Sequence, residues 1–448
     1  MAKNATREMT SGSPLKLILS FAVPLLLGML FQQFYSMVDT IIVGKSLGVD
    51  QLAGVGSTGA INFMIIGFCN GVCSGFAIPI AQSFGAKDYK RLRKFVANAA
   101  WLSIAFAAVM TVVVCVLCRQ ILSWMDTPEN IFEYAYSYIF IIFLGIPATY
   151  LYNLLSGIIR SLGDSRTPVI FLVISAMLNI LFDLLAILHM GVAGAAWATV
   201  LSQLISGILC FLYMRKQYDI LKFEKDEMKF EGRQAIILCN MGIPMGLQYS
   251  ITAIGSVILQ TAVNSLGSQA VAAVTAAGRI SGFSCCPFDA LGSTMATYAG
   301  QNVGAGKLDR VGKGLKSASF IGGIYAILAF FVLSLFGRQI ALLFVSADEI
   351  AILDHVKQFL VFNTAFYIPL CLVNTVRFCI QGMGYSRLAI LAGVCEMVGR
   401  IIASLVLVPL IGFVGICLAS PIAWIMADLF LVPAYCHTIN RMKKILAS

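Results

Sequence analysis

The chain has 448 residues, 59% of them hydrophobic and 12% charged, with a mean hydropathy of +0.89. Soluble domains carry about 25% charged residues, so a soluble globular protein is excluded and an integral membrane protein indicated. The net charge of +10 is explained below by topology and needs no nucleic acid.

The amino-terminal stretch "MAKNATREMTSGSPLK" is polar and basic and has no cleavable signal pattern. Beyond it, apolar runs broken by polar or Gly/Pro signals predict twelve spans, near 15–43, 52–82, 95–118, 131–157, 168–188, 192–214, 235–264, 270–300, 317–337, 352–380, 388–410 and 413–436. These runs are helix-length rather than alternating strands, which excludes a β-barrel. The first span ends in "MVDTIIVGKSLG" (37–48). A phosphate-binding loop would need glycine where Asp39 stands, and no other G-K-[ST] occurs, so no ATP-driven motor is expected. The thirteen cysteines are scattered through apolar runs and read as small packing residues. His189, His355 and His437 lie near span ends and form no zinc motif, so no metal site is expected.

Lys and Arg set the orientation. With the amino terminus in the cytoplasm, twenty-four basic residues fall inside and four outside (Lys45, Arg119, Arg338 and Lys357). Both termini are therefore expected in the cytoplasm, and the basic loops beside an anionic leaflet. The longest polar segment is the mixed-charge loop 215–233, "RKQYDILKFEKDEMKFEGR".

The sequences on either side of that loop repeat. "AQSFGAKDYKR" (81–91) matches "GQNVGAGKLDR" (300–310), and "LCRQI" (117–121) matches "FGRQI" (336–340). "LGDSR" (162–166) matches "MGYSR" (383–387), and "GVAGAA" (191–196) matches "GFVGIC" (412–417). The offsets, 219 and 221, are nearly constant. Each half has six spans and starts inside, so the repeats are parallel. The expected fold is all-α: an amino-terminal six-helix lobe (1–214), a cytoplasmic linker (215–233) and a carboxy-terminal six-helix lobe (234–448), around a central cleft suited to alternating access.

Leaving aside Glu133 and Asp354 at span ends, five acids are candidates for a place inside the membrane: Asp39, Asp183, Asp289, Glu396 and Asp428. A mid-bilayer acid costs about 2.5–3.5 kcal/mol on insertion scales, and such residues face a bundle interior or cavity. Asp183 lies fourteen residues, about 21 Å of rise, from Val169, with Asn179 one turn earlier on the same face. A carboxylate and a carboxamide so stacked can share a cation or a proton; the alternative is a polar pair that holds helices together. Asp39 has two open readings: a straight helix lets it snorkel to the outer interface, whereas bends at Pro24 and Gly28 keep it deeper. Glu396 and Arg400, at i and i+4, are expected to neutralise each other, and Asp289 to pair with Arg377. Asp428 has no assigned partner.

The chain resembles the multidrug and toxic compound extrusion (MATE) transporters over nearly its whole length. The resemblance is carried by "FYSMVDTIIVGKSLGVDQLAGVG" (34–56), "AQSFGAKDYKR" (81–91), "LSGIIRSLGDSRTP" (155–168) and "LNILFDLLAILHMGVAGAAWATVLSQ" (178–203), with the duplication. It implies no enzyme and no cofactor, but a monomeric antiporter in the cell inner (plasma) membrane that exports amphipathic, often cationic compounds against H+ or Na+. In the branch with an acidic amino-terminal lobe, the cation site would consist of Asp39 and Asp183, helped by Asn179, Thr199, Asn153 and Ser156. Gln32, Tyr35, Tyr138 and Glu396 would line the substrate cavity. A NorM-like branch carries a seventh-span glutamate; here Thr252 in "GIPMGLQYSIT" (242–252) stands about there, which favours the amino-terminal lobe. A lipid-linked oligosaccharide flippase of the same superfamily is the alternative, but such proteins commonly have fourteen spans and a basic cavity. A membrane-embedded aspartyl enzyme and a channel lack their signatures here.

Overall fold

The computed structural model describes residues 6–47 and 49–447, and among these the secondary structure is helical throughout. Twelve long helical segments follow one another: α1 (Pro14–Leu47), α2 (Asp50–Gly85), α3 (Tyr89–Val116), α4 (Glu129–Leu144 and Ile146–Ser161), α5 (Arg166–Met190), α6 (Val192–Gln217), α7 (Gly232–Ser265), α8 (Ser268–Gly304), α9 (Leu308–Ala341), α10 (Ile350–Ala365 and Tyr367–Gly382), α11 (Ser386–Ile411) and α12 (Phe413–Ala447). They match the twelve predicted spans in order. Among the described residues, nine are long and apolar enough to cross a bilayer as single helices, and the broken segments α4 and α10 pass as pairs. The remaining one, α8, has 37 residues, ample for a span, but it is diluted by Ala, Gly, Ser and Thr.

The duplication is visible in the backbone. α4 bends by 47° at Gly145, and α10 by 52° at Phe366, 221 positions later. Gly191, between α5 and α6, has φ 58° and ψ −134°; its counterpart Gly412, between α11 and α12, has φ 60° and ψ −131°. A Cβ is disfavoured in that region of φ/ψ space, so both repeats use glycine for the same turn.

By packing, the chain forms two compact units, 6–8 with 27–246 and 9–26 with 247–447. The 215–233 loop packs into the first unit. Two 3-10 turns, Asp219–Leu221 and Lys225–Met228, shape it. Arg93 of α3 donates two hydrogen bonds to Glu227, at 2.6 and 2.8 Å, and Lys94 pairs with Glu231 at 2.6 Å. The Trp101 indole donates to the Met228 carbonyl at 3.0 Å.

Phe76, Phe95, Phe143 and Tyr150 are fully buried in the first unit, and Phe288, Tyr298 and Tyr367 in the second. In the first, Gly71 and Gly75 of α2 let α7 approach backbone to backbone: a Cβ at Gly75 would lie 2.5 Å from the Gly242 Cα, the close approach typical of small residues in membrane helices. Large apolar side chains such as Leu188 (77% exposed) and Leu405 (69%) point outward, which water would penalise and lipid does not. All thirteen cysteines are free thiols, Cys115 and Cys118 at C-x-x-C spacing included.

Candidate functional site

In the first unit, Gln32, Tyr35 and Asp39 recur at i, i+3 and i+7 on α1, which places them on one face of the helix. Gln32 is exposed, Tyr35 and Asp39 half-buried. On α5, Asn179 and Asp183 stand one turn apart and are 1% and 0% exposed. The two helices meet through these residues. The Tyr35 hydroxyl hydrogen-bonds the Asn179 carboxamide. In the orientation that satisfies all its partners, the Asn179 amide nitrogen donates to Asp183 Oδ2 at 3.0 Å and its oxygen faces the Thr199 hydroxyl of α6 at 3.2 Å. The Thr199 hydroxyl is tied to the Ala195 carbonyl one turn back, at 3.1 Å.

The carboxyl groups of Asp39 and Asp183 lie within hydrogen-bonding reach of each other. Tyr138 of α4 is near both. Asp183 Oδ1 is buried and has no donor among the described residues. Contact between two acid oxygens is repulsive unless a proton or a cation lies between them, and an orphaned buried oxygen costs about 1–3 kcal/mol. Two acids so placed favour a shared proton or cation. Its oxygen-rich donor set suits a proton or a hard cation.

Asn153 donates to the Thr149 carbonyl within α4 at 2.9 Å, and Ser156 is buried. Neither is joined to the aspartate pair by a hydrogen bond in the structure.

In the second unit, Glu396 of α11 is 4% exposed and forms an ion pair with Arg377 of α10. Arg400, its expected i+4 partner, stands further off, with Nη2 4.0 Å from Glu396 Oε2. Arg377 also lies in the field of Asp289 and Asp428, so the expected Asp289–Arg377 association is part of a larger cluster. Sequence spacing missed the Arg377–Glu396 pair because the nearest base on the same helix was an obvious partner; the available signal was a lone arginine in the middle of a span. It also missed the buried hydrogen bond from Gln381 Nε2 to Gln248 Oε1, at 2.8 Å.

The MatE family model matches the chain twice, over residues 24–185 and 244–406. The chain is 30% identical over 348 residues to the "Probable multidrug resistance protein YoeA" of Bacillus subtilis, covering 75% of this chain and 74% of that one. It is 23% identical to the "FAD transporter" of Shewanella oneidensis, covering 91% of each. Its fold is similar to the structure of an outward-facing "multidrug resistance MATE family transporter of the MOP superfamily", with a TM-score of 0.90, 22% identity, and 97% and 98% of the two chains covered. Two matches to one family model, one in each repeat, and the full-length likeness in fold establish that the chain belongs to the MATE family of multi-pass membrane transporters.

Proposed function

We propose that this protein is a secondary active antiporter that exports amphipathic or cationic compounds in exchange for H+ or Na+ by alternating access. The observation that carries the reading is the Asp39–Asp183 pair, two acids in contact with one buried oxygen unpartnered. The multidrug names of relatives support the substrate class.

In the outward-open state a cation or proton enters between Asp39 and Asp183, and Asn179 and Thr199 hold the Asp183 side. Neutralisation removes most of the cost of burying the pair, so the loaded lobe can close and release drug outward. Inward opening frees the cation and restores the charge, which favours binding of the next cationic drug. Gln32, Tyr35 and Tyr138 line the drug cavity beside the pair. The electrical drive is about 2.3 kcal/mol per charge per 100 mV. The protein works as a monomer in the cell inner membrane, both termini cytoplasmic. Glu396 we assign to the internal ion pair with Arg377 rather than to drug recognition.

The test is cationic-dye flux in proteoliposomes under imposed pH or Na+ gradients. Asp39→Asn and Asp183→Asn should reduce gradient-driven flux to that of protein-free vesicles while the purified variants remain folded. Undiminished export by Asp183→Asn would sink the scheme.

A further inference from the structure

The duplication allows each residue of the first-unit site to be matched to its counterpart. The two family-model matches begin at Pro24 and Pro244, prolines inside α1 and α7, so those helices align at offset 220. The bends at Gly145 and Phe366 and the turns at Gly191 and Gly412 fix offset 221 for the later helices. Asp39 then corresponds to Leu259, Tyr35 to Gly255, Tyr138 to Phe359, Asn179 to Arg400 and Asp183 to Ser404.

The second copy is rebuilt around one charge. Leu259 and Phe359 pack in an apolar cluster with Val263, Val408 and Ile416, where the first copy has an acid and a tyrosine. Gly255 has no side chain, and the guanidinium of Arg400 fills the space: a Cβ on Gly255 would lie 3.4 Å from Arg400 Nη1. Arg400 Nη1 donates to the Thr252 carbonyl at 3.2 Å and faces Ser256 Oγ at 3.4 Å. Asn179 reaches from α5 to α1 through Tyr35; Arg400 makes the same crossing from α11 to α7 by itself. Ser404 is 6% exposed and its hydroxyl has no partner among the described residues. It stands in a π-helical stretch, Ala403–Leu407, a distortion that often marks a functional position.

We propose that the second unit holds a permanently filled copy of the cation site, with the Arg400 guanidinium as resident cation beside Glu396, so that a single unit exchanges a cation during transport. The inference rests on the reading of Asp39 and Asp183 as the exchanging site. A tethered cation adds its charge to that of Arg377 beside Glu396, from 4.0 Å away, without ever dissociating. Arg377 alone would face three acids, Glu396, Asp289 and Asp428, if Arg400 lost its charge.

The experiment counts cations on the full-length protein in detergent, by equilibrium binding of radioactive sodium at fixed pH and by proton uptake at fixed sodium. The wild type should hold one exchangeable cation, which Asp39→Asn with Asp183→Asn removes. Arg400→Asn, which installs the first-unit residue, should gain one further cation, and the gain should persist in the Asp39→Asn, Asp183→Asn background. Arg400→Lys keeps the charge and should gain none. A folded Arg400→Asn protein with an unchanged count overturns the proposal. Should that variant not fold, Ser404→Asp with Arg400 retained decides: the guanidinium neutralises the new acid and the count stays the same, whereas an extra bound cation shows that Arg400 does not occupy the site. Failure of the Asp39→Asn, Asp183→Asn pair to remove a cation counts against the antiport reading instead.

Discussion

The two repeats solve one electrostatic problem in opposite ways. In the first unit, acids from α1 and α5 meet with a buried oxygen unpartnered, the arrangement proposed to take up a cation. In the second, Glu396 has a guanidinium in contact and another close by, and Leu259 stands where Asp39 would be. A charge left unbalanced is a liability to stability and a requirement for exchange; a charge balanced within the protein is structure. The same helical scaffold carries both.

Stability measurements give the sharpest separation. Glu396→Gln leaves Arg377 buried without its contacting counter-charge, and loss of one partner of a buried pair costs about 3–5 kcal/mol. A large fall in thermal unfolding temperature in detergent is expected, with export reduced only through loss of folded protein. Asp183→Asn should show the reverse, an unfolding temperature at or above wild type and no coupled export, because it removes repulsion with Asp39. If the two variants lost equal stability, the contrast between the units would be broken.

Smaller effects should follow at the residues that position the pair. Asn179→Ala removes the donor to Asp183 Oδ2 and the contact to Tyr35. Partners of this kind are worth about 10–100-fold in ion affinity. The concentration of Na+ or H+ that half-drives export should rise by that factor while maximal flux is largely kept. Tyr35→Phe, which keeps Asn179 in place, should shift it less.

An ion pair outside the membrane supplies a yardstick for both. The Arg93 guanidinium, bonded twice to Glu227, holds that carboxyl below the usual carboxylate range. Arg93 is 18% exposed, so partial screening limits the pair to about 1–2 kcal/mol. A depressed folded pKa contributes stability that is complete above the ordinary glutamate value of about 4.3 and is lost as pH falls through the folded value. Unfolding temperature should therefore drop more steeply below about pH 4.3 in wild type than in Glu227→Gln, and the two curves should converge in acid.

The spans, the duplication and the family were legible in the sequence because apolar length and a constant offset are properties of the chain itself. What joins distant spans was not. The breaks in α4 and α10 fall at Gly145 and Phe366, just before Pro147 and Pro369, whose missing N–H and ring end the preceding turn; the apolar runs on either side read as continuous spans. Asp39 and Asp183 are 144 positions apart; spacing left Asp39 open between snorkelling and function, and only the resemblance to a family put the two together. Glu396 was half legible. Its i+4 pairing with Arg400 is present at 4.0 Å, but the closer contact with Arg377, made across two helices, carries no trace in either helix's periodicity. The mixed-charge linker showed no partner for Glu227 in its sequence, yet Glu227 is fixed to Arg93 and only 1% exposed.

The smallest predicted effect bears directly on how Arg400 fills its site. A Cβ on Gly255 meets Arg400 Cδ and Nη1 at 3.4 Å, close to ordinary contact, and alanine in a helix interior is favoured over glycine by about 0.5–1 kcal/mol. These terms nearly cancel, so Gly255→Ala should change stability by no more than about 0.5 kcal/mol and leave dye export at the wild-type rate. Gly255→Tyr restores the first-unit residue and needs the volume Arg400 occupies, so it should destabilise markedly; combined with Arg400→Asn, the pair found in the first unit, it should recover much of that loss. The two introduced side chains would then meet as Tyr35 and Asn179 do. A tyrosine accepted as readily as alanine with Arg400 in place would mean that the guanidinium does not hold that space.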